Sequence, residues 1–458
     1  MFAGGFTLEA AEEVCRTGND EDNDVLDNIA SIEEKSLLKR EESDGNPRFA
    51  MLETVREYAD ERLVDSGDAE EVRRKHAGYF LTLAAEAEPE LVGLNRVVWL
   101  DKLEKEYGNF RSALAWSLNG GQIELGIELA GLAFQTLLRP AKRYREGREL
   151  LDKAISAGGS SSSALANVIR EAGFLACDMG DETRGMQLLE RSLTMYREMA
   201  DSGGGVDSLW QIGAWSFWRG DSKKAATVFE ECLAVSRETG NSDGIGHALS
   251  SLGMIALDRG DLENAQSLFE DALAHIEAGG NVIQASNARH HLGSVAMLQG
   301  DLARAAALFE ESLETFRRIQ YKLYIAIVLI DLGTVMMKQG NLTRSKALLA
   351  EAMHLHRETG VKGMDYGYSE VSHCLSLFAD MASMAGQIER AVLLSGASIL
   401  IRETIDLTEW GKRWREEQDD NIRSMRKQLG EQGFIAAWEK GRAMSMEAAI
   451  KYALEDEE

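Results

Sequence analysis

The chain has 458 residues, 44% of them hydrophobic and 28% charged, with a formal net charge of −26 at pH 7. That length exceeds one ordinary core, the composition is that of a folded chain, and the charge repels nucleic-acid phosphates unless a local basic stripe overcomes it. No such stripe shows: the densest basic runs, VRRKH (72–76) and RPAKRYREGR (139–148), lie on predicted helices among acids and read as solvated faces.

In chain order, FTLEAAEEVC (6–15) predicts a short helix with Thr7 as its N-cap. DNDVLDNIASIEEKS (22–36) predicts a second, with Val25, Leu26, Ile29 and Ile32 on one face. SLLKREESDGNPRFAML (36–52) reads as two short strands around an Asp44-Gly45 turn. ETVREYADERLVDSG (53–67) returns to helix. Helices followed by a hairpin make a winged-helix-like domain over residues 1–75, or a small α+β adaptor without DNA contact. Acids outnumber bases there by about two to one, and Asp22, Asp24, Asp27, Glu33 and Glu34 crowd the second helix. A recognition helix entering a major groove should not look like that. Residues 76–120 are expected as a helical linker. Pro47, Pro89 and Pro140 are the only prolines, so nothing beyond residue 140 carries the strongest helix breaker.

From about residue 121 the chain repeats itself. RGDSKKAATVFEECL (219–233), RGDLENAQSLFEDAL (259–273), QGDLARAAALFEESL (299–313) and QGNLTRSKALLAEAM (339–353) recur at a period of 40 residues. The glycines Gly180, Gly220, Gly260, Gly300 and Gly340 mark the register, each with a second glycine seven residues earlier: Gly173, Gly213, Gly253, Gly293 and Gly333. Each unit reads as two helices. Ala265, Leu268, Phe269, Ala272, Leu273 and Ile276 form one apolar stripe, Gly260 suits a left-handed C-cap, and Asp261 suits the next N-cap. The inner glycine and Ala265 permit close helix approach, and Phe269 fills the space against the neighbouring unit. One helix pair cannot hide its apolar face, so the units must stack. About seven such units are expected over 121–405, with capping helices over 406–458.

SLGMIALDRGDLENAQSLFEDAL (251–273) resembles the tetratricopeptide repeat through Leu252, Gly253, Gly260, Ala265, Phe269 and Ala272, but at 40 residues rather than that family's usual 34. More broadly, FAGGFTLEAAEEVC, LDNIASIEEKSLLKRE, PRFAMLETVREYADERL and RRKHAGYFLTLAAEAEPEL, with LGEQGFIAAWEKGRAMSMEAAIKYAL (429–454) at the end, are similar in order to the C-terminal half of bacterial STAND-type signalling ATPases. The resemblance implies a mostly all-α fold, a tetratricopeptide-repeat superhelical solenoid preceded by a small winged-helix domain. It also implies an NB-ARC-type ATPase domain as a partner. No G-x-x-x-x-G-K-[ST] occurs, and Gly411-Lys412 lacks the upstream glycine. The chain is therefore expected to be a truncated regulator or an ATPase-less relative, without ATP hydrolysis of its own.

Catalytic chemistry finds no support. There is no nucleophile elbow, and the pairs His290-His291 and His354/His356 point to different helix faces, so no metal or cofactor is expected. Cys15, Cys177, Cys232 and Cys374 have no pairing or metal spacing and lie among apolar neighbours, which predicts buried thiols. No signal peptide and no apolar run of membrane length is present, so the expected location is the cytoplasm, away from membranes. Binding is the better expectation. By register from the inner glycines, the groove should present Arg170, Phe174, Trp210, Phe217, Trp218, Ser250, Met254, Leu257, His290, Met297, Ile330 and Met337. Trp210 and Trp218 are the anchors, or else inter-repeat core. The reading that follows is a non-enzymatic module sensing a peptide, protein or small effector; the rival is a DNA-binding regulator acting through residues 1–75.

Overall fold

The computed structural model describes residues 1–15, 25–43, 46–160, 162–359, 366–403 and 409–455. They form two compact units, residues 1–177 with 181–205, and residues 178–180 with 206–458.

The first unit begins with β1 (Phe6–Thr7), α1 (Leu8–Cys15), α2 (Val25–Glu34), β2 (Leu38–Ser43) and β3 (Asn46–Met51). The strands make an antiparallel sheet in the order β1-β3-β2, with Phe6 opposite Phe49 and Leu38 opposite Met51. The Asp44-Gly45 turn lies outside the described residues. Thr7 caps α1, its Oγ1 accepting the Ala10 N–H at 3.2 Å. Phe6, Ala10, Ala11, Ile29, Leu38 and Phe49 close a small core over the sheet. Next comes α3 (Glu53–Ser66), which buries none of its residues.

The unit continues with α4 (Ala69–Glu90), α5 (Arg96–Lys105), α6 (Tyr107–Leu118) and α7 (Ile123–Ala133), then a π-helical turn over Phe134–Leu138, α8 (Tyr144–Ala157), α9 (Ser163–Asp178) and α10 (Glu182–Glu198). Residues 76–120 do not behave as a linker. Ala77, Phe80, Leu83, Ala84 and Ala87 recur at helical spacing and join Phe110 and Phe134 in one core, Phe80 meeting Phe110 edge-on at 5.2 Å.

The second unit is built of consecutive helix pairs: α11 (Val206–Trp218) with α12 (Ser222–Thr239), α13 (Ser242–Asp258) with α14 (Leu262–Gly279), α15 (Val282–Gln299) with α16 (Leu302–Arg318), α17 (Lys322–Lys338) with α18 (Leu342–Thr359), and α19 (Tyr366–Met384) with α20 (Ile388–Arg402). The recurring Gly-Asp explains itself locally. Gly220, Gly260, Gly300 and Gly340 take φ of +79°, +77°, +84° and +80°, ending the first helix of each pair. The following Asp or Asn caps the second helix: Asp221 accepts from the Lys224 N–H at 3.0 Å, Asp301 from Arg304 at 3.0 Å and Asn341 from Arg344 at 3.2 Å.

The inner glycines serve packing. A Cβ at Gly213, Gly253 or Gly293 would stand 2.6, 2.8 or 2.7 Å from the ring of Phe229, Phe269 or Phe309 on the partner helix of the same pair. Phe269 thus lies on its own pair's glycine and also against Leu292, Val295 and His291 of the next pair. Ala225, Ala265 and Ala305 are fully buried beside these contacts. The unit ends with α21 (Glu409–Leu429), α22 (Glu431–Arg442) and α23 (Met446–Leu454). Ala449, Ile450 and Ala453 of α23 enter the core built from α17 to α20, and Arg390 holds the end of α23 through the carbonyls of Tyr452 (3.0 Å) and Glu455 (2.8 Å). Of the cysteines, Cys177, Cys232 and Cys374 are buried; Cys15, the last residue of α1, is exposed, against the expectation that all four are covered.

Candidate functional site

Within the second unit, the first helices of successive pairs, α11, α13, α15, α17 and α19, approach one another more closely than the second helices do. They therefore form the inner wall of the array, and a ligand held by several repeats must lie on them. The period of 40 sets side chains of like register side by side along it.

Trp210, on α11, donates its indole N–H to Ser251 Oγ on α13 at 3.0 Å, while its ring lies 5.4 Å from that of His247. The same offset of 41 residues recurs one pair of repeats later, where His290 Nε2 on α15 meets Asp331 Oδ2 on α17 at 2.6 Å. Neighbouring inner helices are thus stitched by polar contacts at equivalent positions. His291 turns the other way and stacks on Phe269 at 5.0 Å, where burial, and then His290, push its pKa down to about 3. Burial likewise lowers His247. On α19, burial and then the nearby Asp331 carboxylate push the Glu370 carboxyl up to about 8. The adjacent Cys374 thiol is raised by burial, then by Glu370 and Asp331.

One feature unites the wall. Gln211 Oε1, His247 Nε2, Asn287 Oδ1 and Glu370 Oε1 are buried with no hydrogen-bond partner among the described residues. They come from α11, α13, α15 and α19 in turn. Buried polar atoms are rarely left unsatisfied. These four buried atoms, three of them oxygens, lie on four of the five inner helices.

The residues expected from sequence fall in three settings. Trp210, Trp218, Ser250, Met254, Leu257, Met297 and Met337 are half-buried along the inner helices. Phe217, His290 and Ile330 are buried, Phe217 packing with Ala225, Phe229 and Ile255 in the core between helices. Arg170 and Phe174 belong to the first unit. There Arg170 is buried on Glu171 Oε1 at 2.9 Å, and Phe174 lies under the Arg139 guanidinium at 4.8 Å. Gln211, His247, Asn287, Asp331 and Glu370 were not singled out as wall residues. The 40-residue register breaks after Gly340, the next glycine cap among the described residues being Gly386, so the period gave no pointer to Glu370. Among the described residues no three His, Cys, Asp or Glu side chains converge as a metal site, and no helix is long and apolar enough to cross a membrane.

Family models of the tetratricopeptide repeat match residues 206–278 and 286–319. A Mycobacterium tuberculosis protein named as an HTH-type transcriptional regulator is 29% identical over 259 residues, covering 48% of this chain and 29% of its own length. A second, uncharacterised M. tuberculosis protein is 38% identical over 82 residues, 17% of this chain and 20% of its own length. The chain thus spans under a third of either relative. Two solved structures share the fold. One is a STAND protein with a tetratricopeptide repeat sensor from Pyrococcus horikoshii (TM-score 0.50, 14% identity, 91% of this chain and 62% of that one). The other is the apo form of the quorum sensor NprR from B. thuringiensis (TM-score 0.51, 15% identity, 82% of this chain and 96% of that one). At such identity the likeness is one of fold: mostly all-α, with tetratricopeptide repeats matched over 206–278 and 286–319.

Proposed function

We propose that the chain is the non-enzymatic sensing part of a STAND-like transcriptional or signalling regulator, and that it holds a peptide or protein segment, or a small effector, against the inner wall of α11 to α19. The observation that carries this reading is the set of half-buried side chains along those helices, with Trp210, Trp218, Met254, Met297 and Met337 among them. Aromatic anchors supply area, and methionine supplies an adaptable surface. Among relatives, the regulator named for a helix-turn-helix and the solved STAND protein support the regulatory setting.

The first unit supports a domain partner. Leu52, Tyr58 and Val64 along α3 are 64%, 62% and 54% exposed, with Leu26 and Leu37 exposed nearby in sequence. A helix that buries none of its residues suits cover by a second protein domain, of which an NB-ARC-type ATPase domain is the candidate the resemblance names.

The wall is tested by panning the full chain with a random nonapeptide phage library and measuring the selected peptides on Trp210→Ala and Trp218→Ala. Affinity should fall about tenfold or more, the scale on which an aromatic hot spot acts, while far-ultraviolet circular dichroism stays unchanged. Peptides that bind both variants as tightly as the parent would sink the reading.

A further inference from the structure

We propose that the slot between α6 and α8 in the first unit binds a small monocarboxylate with an apolar body, a short-chain fatty acid in type, whose carboxylate pairs with Lys153. The site is separate from the inner wall and does not depend on the reading above.

The slot encloses about 180 Å³. Pockets for drug-sized ligands run to about 300–1,000 Å³, so what fits here is one short acyl chain or a single ring. Its walls are apolar: Phe110 and Leu114 from α6, Leu137 and Leu138 from the π-helical turn, and Leu150 from α8. The turn departs from α-helical bonding, since the backbone N–H groups of Arg139 and Arg143 donate to the carbonyls of Phe134 and Leu138, five residues back, both at 2.9 Å. Such single π turns are rare and are frequent at functional sites. Here the turn supplies the floor of the slot.

The polar rim decides the charge of the ligand. Tyr107 and Arg111 come from α6, and Glu146 and Lys153 from α8, where Glu146, Leu150 and Lys153 follow one another along one face. From Glu146 to Lys153 the helix rises about 10 Å, the reach of a short acyl chain. Glu146 is already satisfied: the Tyr107 hydroxyl donates to its Oε2 at 2.5 Å, and Arg111 Nε lies 3.5 Å from its Oε1. Lys153 is exposed and has no ion-pair partner among the described residues. The acids beside it in the chain are committed elsewhere, Glu149 to Arg145 at 3.2 Å and Asp152 to Arg184. An uncommitted ammonium at the mouth of an apolar slot suits a carboxylate with hydrocarbon behind it. A cationic ligand would meet Lys153 and find Glu146 neutralised, and a neutral one would leave the ammonium unused.

Isothermal titration of octanoate into the full chain near neutral pH tests the site, with 1-octanol and octylammonium as the neutral and cationic forms of the same tail. Octanoate should bind about fivefold tighter than 1-octanol, the scale of an ion pair at a solvent-exposed rim, and octylammonium should bind weakest. Lys153→Gln, at an exposed position, should erase that preference. Ala115 is exposed at the lip of the slot, so Ala115→Trp should close it and abolish binding with far-ultraviolet circular dichroism unchanged. Trp210→Ala should leave octanoate binding as it is in the parent. Absence of octanoate binding, equal affinity for octanoate and 1-octanol, a preference that survives Lys153→Gln, or binding that survives Ala115→Trp would each overturn the site.

Discussion

Positions 200, 240, 280 and 320 repeat at the period of the array, and each places its residue in the left-handed region at the end of a second helix. Gly240 and Gly280 do so at φ of +69° and +77°, but Ala200 and Gln320 adopt +55° and +52° with side chains that favour other conformations. A residue with a Cβ in this region costs about 1–2 kcal/mol, offset in part by the extra freedom glycine has when unfolded, about 0.5–1 kcal/mol. Gln320 is exposed, and a Cβ at Gly280 meets nothing within 4 Å, so backbone strain is the whole difference at both sites. Gln320→Gly should therefore raise the unfolding free energy by about 0.5–1 kcal/mol, and Gly280→Ala should lower it by a similar amount. The urea midpoint reports both, provided the slope of the transition stays constant. A neutral or destabilising Gln320→Gly would mean that local contacts, not dihedral strain, set the conformation there.

The helix pair is held by an exchange of volume between its two members. Gly253 on α13 leaves the room that Phe269 on α14 fills, and Gly333 does the same for the smaller Leu349, whose Cδ2 would lie 3.0 Å from an added Cβ. Gly253→Ala puts a methyl 2.8 Å from the Phe269 ring, and overpacking of this kind costs about 1–3 kcal/mol. Phe269→Leu costs stability on its own, since it opens a gap and loses the stack on His291. In the double variant the smaller side chain should make room for the methyl, leaving a favourable coupling of about 1 kcal/mol in a double-mutant cycle. Additive losses would show that the glycine does not answer to the ring. This pairing was legible in the sequence because both partners recur every 40 residues. The core role of residues 76–120 and the π-helical turn at Phe134–Leu138 were not, since neither repeats and each depends on partners distant in sequence. The candidate site divides along the same line. Trp210 and Met254 stand out by type and register, whereas Asn287 or Glu370 looks like an ordinary solvated helix residue until neighbouring repeats cover it. Burial of a polar atom is a tertiary property, and one helix cannot announce it.

At the scale of the molecule, charge decides between the two regulatory readings. A chain with 76 acidic and 50 basic residues repels a phosphate backbone, and duplex DNA is held only where cations cluster on one surface. The first unit offers no such surface on the helix that would have to enter the groove: the span of α2 contains Asp27, Glu33 and Glu34 and no lysine or arginine. The cations of β2 and β3 are partly committed, Lys39 lying 3.4 Å from Glu41, and Arg48 paired with Glu106 and bound to the carbonyls of Gly5 and Lys105. On the proposed reading the chain acts through what it grips and what it docks against, and DNA contact falls to another domain or another protein. The full chain should therefore leave a random-sequence duplex unretarded on a native gel even at about 50 mM salt, where non-specific contacts are strongest among usual conditions. Retardation that weakens steeply as salt rises would assign phosphate contacts to this chain and shift its function toward the N-terminal helices. Retardation abolished by neutralising Lys39, Arg40 and Arg48 together would locate those contacts on the hairpin rather than on α2.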